Sequence, residues 1–249
     1  IIINKLKKNN KSNIYAIIVE PFSGQTCREL SEQFMIELRS LCSLNDIVLI
    51  FDEIYSGFCK TGRYFNFLRV KGLTPDIITF SKSFGGGKAS ISGYGIQKKF
   101  HKKSYDNMFD ATLHSTTYFG FGEEAATAMK AIKIMIEDKY QDKSKKNEEI
   151  ISKYLKDLKL KYPHIIEYYM GAGSVFGIKF KKIIYIEKLH KKIKAVPSKF
   201  FKDKFFKDKL IAASIIEELY SSYSILTYFA INEKIIFKIS PPVIIKENE

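Results

Sequence analysis

Tryptophan is missing from the 249 residues, and arginine and cysteine are nearly so: Arg28, Arg39, Arg63 and Arg69 are the only arginines, Cys27, Cys42 and Cys59 the only cysteines. Three cysteines cannot pair completely, and none stands in a CxxC spacing. His101, His114, His164 and His190 are scattered, so no zinc pattern assembles and no metal site is expected. A disulfide framework is equally unexpected, which makes a reducing compartment, the cytoplasm, the default. No apolar run approaches the roughly 18 residues of a membrane span, so no membrane partner is expected. The opening Ile1-Ile2-Ile3-Asn4 carries no signal-peptide pattern and no initiator Met. That start reads as a piece of something longer.

Scarce arginine also bears on the formal net charge of +14. Residues 1–13 hold four lysines and no acid; residues 179–209 hold twelve lysines against Glu187, Asp203 and Asp208. Those stretches account for 13 of the 14 excess charges, and the rest of the chain is almost neutral. Phosphate and base recognition by planar bidentate contact favours Arg, so the excess reads as solvated lysine and no nucleic-acid partner is expected. With 45% hydrophobic and 14% aromatic residues, the sequence has ample material for a core.

The apolar residues come in short runs that end in charge. Ile14–Val19 ends at Glu20-Pro21, residues 47–51 end at Asp52-Glu53, and residues 77–80 end at Ser81-Lys82. Each reads as a buried strand, and 91–96 reads as a fourth. Leu30, Phe34, Leu38 and Leu41 predict a helix over 29–44, and Ala125, Met129, Ile132 and Ile136 a long helix over 122–138. Continuous apolar strands alternating with helices indicate a parallel sheet covered on both faces. Beyond it, charge-rich 137–149 reads as a hinge or exposed helical segment. Helices over 150–162 and 210–220 and strands over 173–180 and 235–239 suggest a smaller α+β part.

In such sheets ligands gather beyond the carboxyl ends of the strands. Asp52 and Lys82 sit at two of these ends. A charge there is costly to desolvate unless it serves its neighbour or a ligand. From charge alone, a rim salt bridge explains the pair at least as well as a ligand does.

The letters around the pair narrow the choice. Asp52-Glu53-Ile54-Tyr55-Ser56-Gly57-Phe58-Cys59-Lys60-Thr61-Gly62-Arg63 resembles the DEV-x-S/T-G segment of class-III pyridoxal-phosphate aminotransferases. Pro75-Asp76-Ile77-Ile78-Thr79-Phe80-Ser81-Lys82, followed by Gly85-Gly86-Gly87, is similar to their PD…SK…GGG stretch. Ile18-Val19-Glu20-Pro21, His114-Ser115-Thr116-Thr117-Tyr118 and Ile239-Ser240-Pro241-Pro242-Val243-Ile244 resemble three further family motifs, in the family's order. The resemblance runs from about Ile14 to Ile245.

It implies an α/β fold: part of the large domain of fold type I, with a mostly parallel sheet, over 14–140, then a smaller α+β C-terminal domain over 141–249 that contains the Lys-rich 181–209. Residues 1–13 would be a lead-in. It implies pyridoxal 5'-phosphate as cofactor and transamination between an amine or amino acid and an oxo acid or aldehyde, in an ornithine- or omega-aminotransferase-like enzyme. Lys82 would form the Schiff base in a dry site and move the proton. Asp52 would pair with the pyridine nitrogen, and Ile54, on the same strand face, would pack on the ring. Tyr55 stands where the family often has Gln and would offer its hydroxyl instead. Thr117, ahead of a helix, would meet a phosphate, usually that of the partner subunit in a homodimer. Glu20 and Lys238 would face substrate. Lys238 replaces the family's Arg, and the carboxylate that often pairs with that Arg is also lost after Pro21. Lys cannot form the bidentate carboxylate clamp, so the resemblance does not by itself imply the 2-oxoglutarate/glutamate specificity of ornithine aminotransferases. The family's phosphate-cradling turn has no counterpart before Ile14, so the resemblance implies a C-terminal part that binds cofactor weakly or not at all by itself. An aminomutase of the same fold, and an inactive remnant serving as a dimerisation module, remain open.

Overall fold

Apolar runs that stop at a charged residue become strands wherever a helix covers one face. The computed structural model describes residues 14–112, 117, 120–181, 206–230 and 236–248. The 1–13 lead-in, most of the His114–Tyr118 motif and most of the Lys-rich 181–209 segment lie outside the described residues.

Four strands, β1 (Ala16–Val19), β2 (Val48–Asp52), β3 (Ile77–Phe80) and β4 (Gly93–Ile96), form one sheet in that order. β1–β2 and β2–β3 are parallel, and β4 returns antiparallel along β3. Helix α1 (Glu32–Leu44) begins where Ser31 Oγ accepts the Phe34 amide at 3.2 Å, satisfying one of the unpaired first-turn donors. Met35, Leu38 and Cys42 of α1 bury against Leu49 and Phe51 of β2, with Phe67, Val70 and Leu73 closing the cluster. Burying a side chain such as Phe51 contributes about 1.5–3 kcal/mol, so this face anchors β2. Asp76, just ahead of β3, ties the elements together: its Oδ2 accepts Arg39 of α1 at 2.8 Å and the Leu49 amide of β2 at 2.9 Å.

The other face differs from the sequence expectation of a sheet covered on both sides. Ala16 and Ile18 of β1 are exposed, while Val48, Ile50 and Asp52 of β2 and Ile77 and Thr79 of β3 are half-buried. Among the described residues it is this half-open face that presents Asp52.

After β4 come α2 (Lys98–Ser104), α3 (Gly122–Glu137) and α4 (Tyr140–Lys161). The charge-rich 137–149 proves helical from Tyr140 onward, with a break at Lys139 (φ 53°). Its covered face uses Ser144 and Asn147 in place of apolar residues, which is why it reads as exposed. Strands β5 (Ile166–Ala172), β6 (Val175–Phe180) and β7 (Phe237–Ile239) make an antiparallel sheet in that order; α5 (Phe206–Tyr223) lies between β6 and β7 in the chain. β5 was not foreseen. Leu155 of α4, Ile166, Phe176, Ile178 and Phe237 form its core, with Ile215, Ile216 and Leu219 of α5 against it. Residues 14–23 and Glu29–Gln141 belong to one compact unit; Gly24–Arg28 and the chain from Asp142 belong to the other. No described helix is long and apolar enough to cross a membrane.

Candidate active site

Strand β2 delivers Asp52 and strand β3 delivers Lys82 two residues past its end. The parallel register sets Asp52 beside Thr79, so these two side chains share the half-open face. The Glu53 amide continues the ladder by donating to the Thr79 carbonyl at 2.9 Å. Asp52 Oδ1 accepts the Ile54 amide at 2.9 Å, a tight turn that sets the carboxylate's orientation. Ile54 therefore lies in the turn after β2 and is half-buried; it is not on the strand face shared with Asp52, because the strand stops at Asp52.

The loop that follows is fixed from beneath by Glu53, which is 0% exposed. Its Oε2 accepts Ser56 Oγ at 2.5 Å and its Oε1 accepts the Phe67 amide at 2.9 Å. Burial pushes the Glu53 carboxyl above the usual range, opposed by the bonds from Ser56, Asn66 and Phe67, and Asp52 next to it pushes the same way as burial. Gly57 is required here, since a Cβ would stand 2.8 Å from the Glu53 carbonyl.

Lys82 opens a 3-10 turn, Lys82–Gly85, with its backbone in the left-handed region at φ 46°. That conformation costs a non-glycine residue about 1–3 kcal/mol and recurs at functional sites. Several contacts hold it. Ser81 Oγ donates to the Ile91 carbonyl at 3.0 Å, and the Phe84 amide donates to the Ser81 carbonyl at 3.0 Å. Phe84 stacks on Phe58 and meets Phe80 edge-on, both at 5.0 Å between centroids. Gly86 follows at φ 61°, where a Cβ would meet Ala131 Cβ of α3 at 2.7 Å. Lys82 itself is exposed, so the dry pocket expected around it is not formed by the described residues. No ion pair joins it to Asp52 among them, which removes the rim salt bridge as an account of the two charges. Instead, Nζ of Lys82 lies over the Tyr55 ring, 4.9 Å from its centroid.

The other expected residues fall differently. Glu20 is exposed, one residue past β1. Thr117 is exposed and lies five residues before α3, outside its N-terminal turn. Lys238 of β7 is 2% exposed; its Nζ donates to the Gly24 carbonyl and lies 5.8 Å from the Tyr228 ring centroid. It is committed inside the second unit.

Two residues escaped the sequence reading. Thr79 Oγ1 is buried with no hydrogen-bond partner, an orphan beside Asp52. Phe22, 0% exposed, stacks on Tyr55. Position offered a signal for both: Thr79 is the in-register neighbour of Asp52, and Phe22 and Tyr55 each stand three residues past neighbouring strands. A cavity of about 550 Å³ lies in the second unit among Ile150, Ile151, Tyr154, Ile239, Pro241 and Val243, and it contains none of the candidate residues.

The model of the aminotransferase class-III family matches residues 1–198. The chain belongs to that family. It is 26% identical over 233 residues to an uncharacterized aminotransferase of Schizosaccharomyces pombe, covering 93% of this chain and 45% of that protein. Identity is 29% over 178 residues to the acetylornithine aminotransferase of Agrobacterium fabrum, 71% of this chain and 43% of that one. The taurine:2-oxoglutarate aminotransferase of Bifidobacterium kashiwanohense, solved with PLP and glutamate, superposes with a TM-score of 0.80 at 20% identity, over 99% of this chain and 51% of that structure. The ornithine delta-aminotransferase of Plasmodium falciparum gives 0.71 at 22%, over 97% and 53%. Fold type I is thereby shown for this class-III chain. The chain spans about half the length of the relatives it matches.

Proposed function

We propose that this class-III chain carries the lysine-bearing half of a pyridoxal-phosphate site that transfers an amino group between an amine or amino acid and an oxo acid or aldehyde. The supporting observation is that Asp52 and the orphaned Thr79 share the half-open face at the carboxyl ends of two adjacent parallel strands, with Lys82 two residues past the second of them. A buried hydroxyl without a partner and a carboxylate fixed by its own turn suit the polar edge of a pyridine ring. A flexible amine on a strained turn suits covalent attachment. When bound, pyridoxal phosphate supplies an electron sink for the carbon that loses its proton.

The protein's own residues would do the remaining work. Asp52, with Oδ1 held by the Ile54 amide, would keep a ring nitrogen protonated. Lys82 Nζ would anchor the cofactor, then accept and return the proton of the reacting carbon. Ile54 would provide apolar contact from the turn, and Thr117 a phosphate contact. A homodimer would place two such sites in one assembly. Lys238 carries no substrate role in this proposal, because it is buried and donates to the Gly24 carbonyl; Glu20, exposed one residue past β1, would remain open to substrate.

Transfer is read directly with a 15N-labelled amino donor, a 2-oxo acid and saturating cofactor. Label in the acceptor, lost by roughly 10²- to 10⁴-fold in Lys82→Ala, is the expected result. Migration of the amino group within the donor when no acceptor is present would identify an aminomutase instead. No movement of label under either condition, together with no borohydride-fixed pyridoxal phosphate at Lys82, contradicts the reading.

A further inference from the structure

We infer that the stacked rings of Phe22 and Tyr55 form a platform that holds the Lys82 ammonium, which makes Tyr55 a positioning residue for that lysine. The inference rests on the reading of Lys82 as the cofactor lysine.

Adjacent parallel strands bring the two rings together. Phe22 follows β1 by three residues and Tyr55 follows β2 by three, and their planes lie 3° apart with centroids 6.3 Å from each other. Phe22 cannot drift: it is 0% exposed and bridged to Glu29, and the Leu30 amide donates to the Pro21 carbonyl at 2.9 Å. Tyr55 is therefore backed by a fixed ring. Lys82 Nζ stands 4.9 Å from the Tyr55 centroid, within the range at which an ammonium is attracted by an aromatic face. The Lys82 backbone is also fixed, by its left-handed turn and the bonds of Ser81, Phe84 and Gly86. With both ends of the contact fixed, the ring selects among side-chain positions that an exposed lysine would otherwise sample freely. Any reagent that must reach Nζ then competes with the Tyr55 face for it, and loading of the site begins with release from that face.

Limited acetylation of the cofactor-free chain with an N-hydroxysuccinimide ester, quantified by peptide mass spectrometry as Lys82 relative to the exposed Lys88, tests this. Tyr55→Leu is expected to raise the ratio about two- to fivefold. Tyr55→Phe keeps the ring and should keep the wild-type ratio. Phe22→Leu should move the ratio in the same direction as Tyr55→Leu. Cys27, Cys42 and Cys59 are all buried, so their silence toward a thiol reagent certifies that each variant is folded. Should Tyr55→Leu expose them, Tyr55→Met supplies the ringless comparison. An unchanged ratio in the ringless variant overturns the inference, as does Tyr55→Phe reacting as fast as Tyr55→Leu. A wild-type ratio in Phe22→Leu overturns the part assigned to the backing ring. The cofactor reading is judged separately, by where borohydride fixes pyridoxal phosphate. Fixation at Lys82 with an unchanged acetylation ratio removes the platform and leaves the site; fixation elsewhere removes the site whatever the ratio.

Discussion

Glu53 shows how one buried side chain holds the candidate site in place. It lies between Asp52 and the loop that bears Ile54 and Tyr55, and both of its oxygens accept hydrogen bonds. Burial raises its folded-state affinity for a proton above that of the unfolded chain. Between the ordinary carboxylate value and the raised one the folded state binds more protons, so stability falls as pH climbs through that window. Chemical denaturation across mildly acidic to neutral pH should show this decline in the wild type and a flatter profile in Glu53→Gln. Equal slopes would mean that Glu53 is ionised as easily folded as unfolded. At this scale the sequence marked Asp52 and Lys82 clearly, because each interrupts an otherwise continuous apolar run. It could not reveal the exposure of Lys82 or the commitment of Lys238 to a backbone carbonyl, since both depend on what lies across the fold.

Elements are held in register by Asp76, which joins α1, β2 and the start of β3. Its side chain is nearly fully buried, and it accepts from Arg39 and from the Leu49 amide. Asp76→Ala leaves a buried amide without a partner and Arg39 without its carboxylate, so a loss of about 2–4 kcal/mol in urea unfolding is expected. A loss below 0.5 kcal/mol, roughly that of an ordinary surface substitution, would show that the apolar cluster alone fixes these elements. Strands β1, β2 and β3 were legible because each is a short, largely apolar run, and β3 falls at the expected 77–80. Strand β5 was missed because Glu167, Tyr168 and Tyr169 give it no such run; its pairing to β6 supplies what its letters do not. Helix α4 was only half seen for the related reason that its covered face carries Ser144 and Asn147, which bond to Ser174 across the hairpin.

On the scale of the whole molecule, the chain visits the second unit early, through Gly24–Arg28, before returning to build α1. Nothing in the local letters announces that visit. Lys238 secures it at the Gly24 carbonyl, and Cys27 packs over Gly177, the register partner of Lys238, where a Cβ would approach Sγ to 3.2 Å. Lys238→Met should therefore speed hydrogen exchange at 24–28 by an order of magnitude or so while β1 and β2 exchange as before, an expected local opening of about 1–1.5 kcal/mol. Uniform acceleration across both units would instead make Lys238 a determinant of global stability. A family resemblance over nearly all the chain, together with coverage of half the relatives' length, leaves one question above the others: whether Asp52 and Lys82 still hold the cofactor.

Incubation with pyridoxal phosphate, reduction with borohydride and peptide mapping answers it most directly. The arrangement on β2 and β3 predicts modification concentrated at Lys82, well above Lys88 and Lys98, which are also exposed, and reduced in Asp52→Ala. Modification spread over the surface lysines in proportion to their exposure would contradict it.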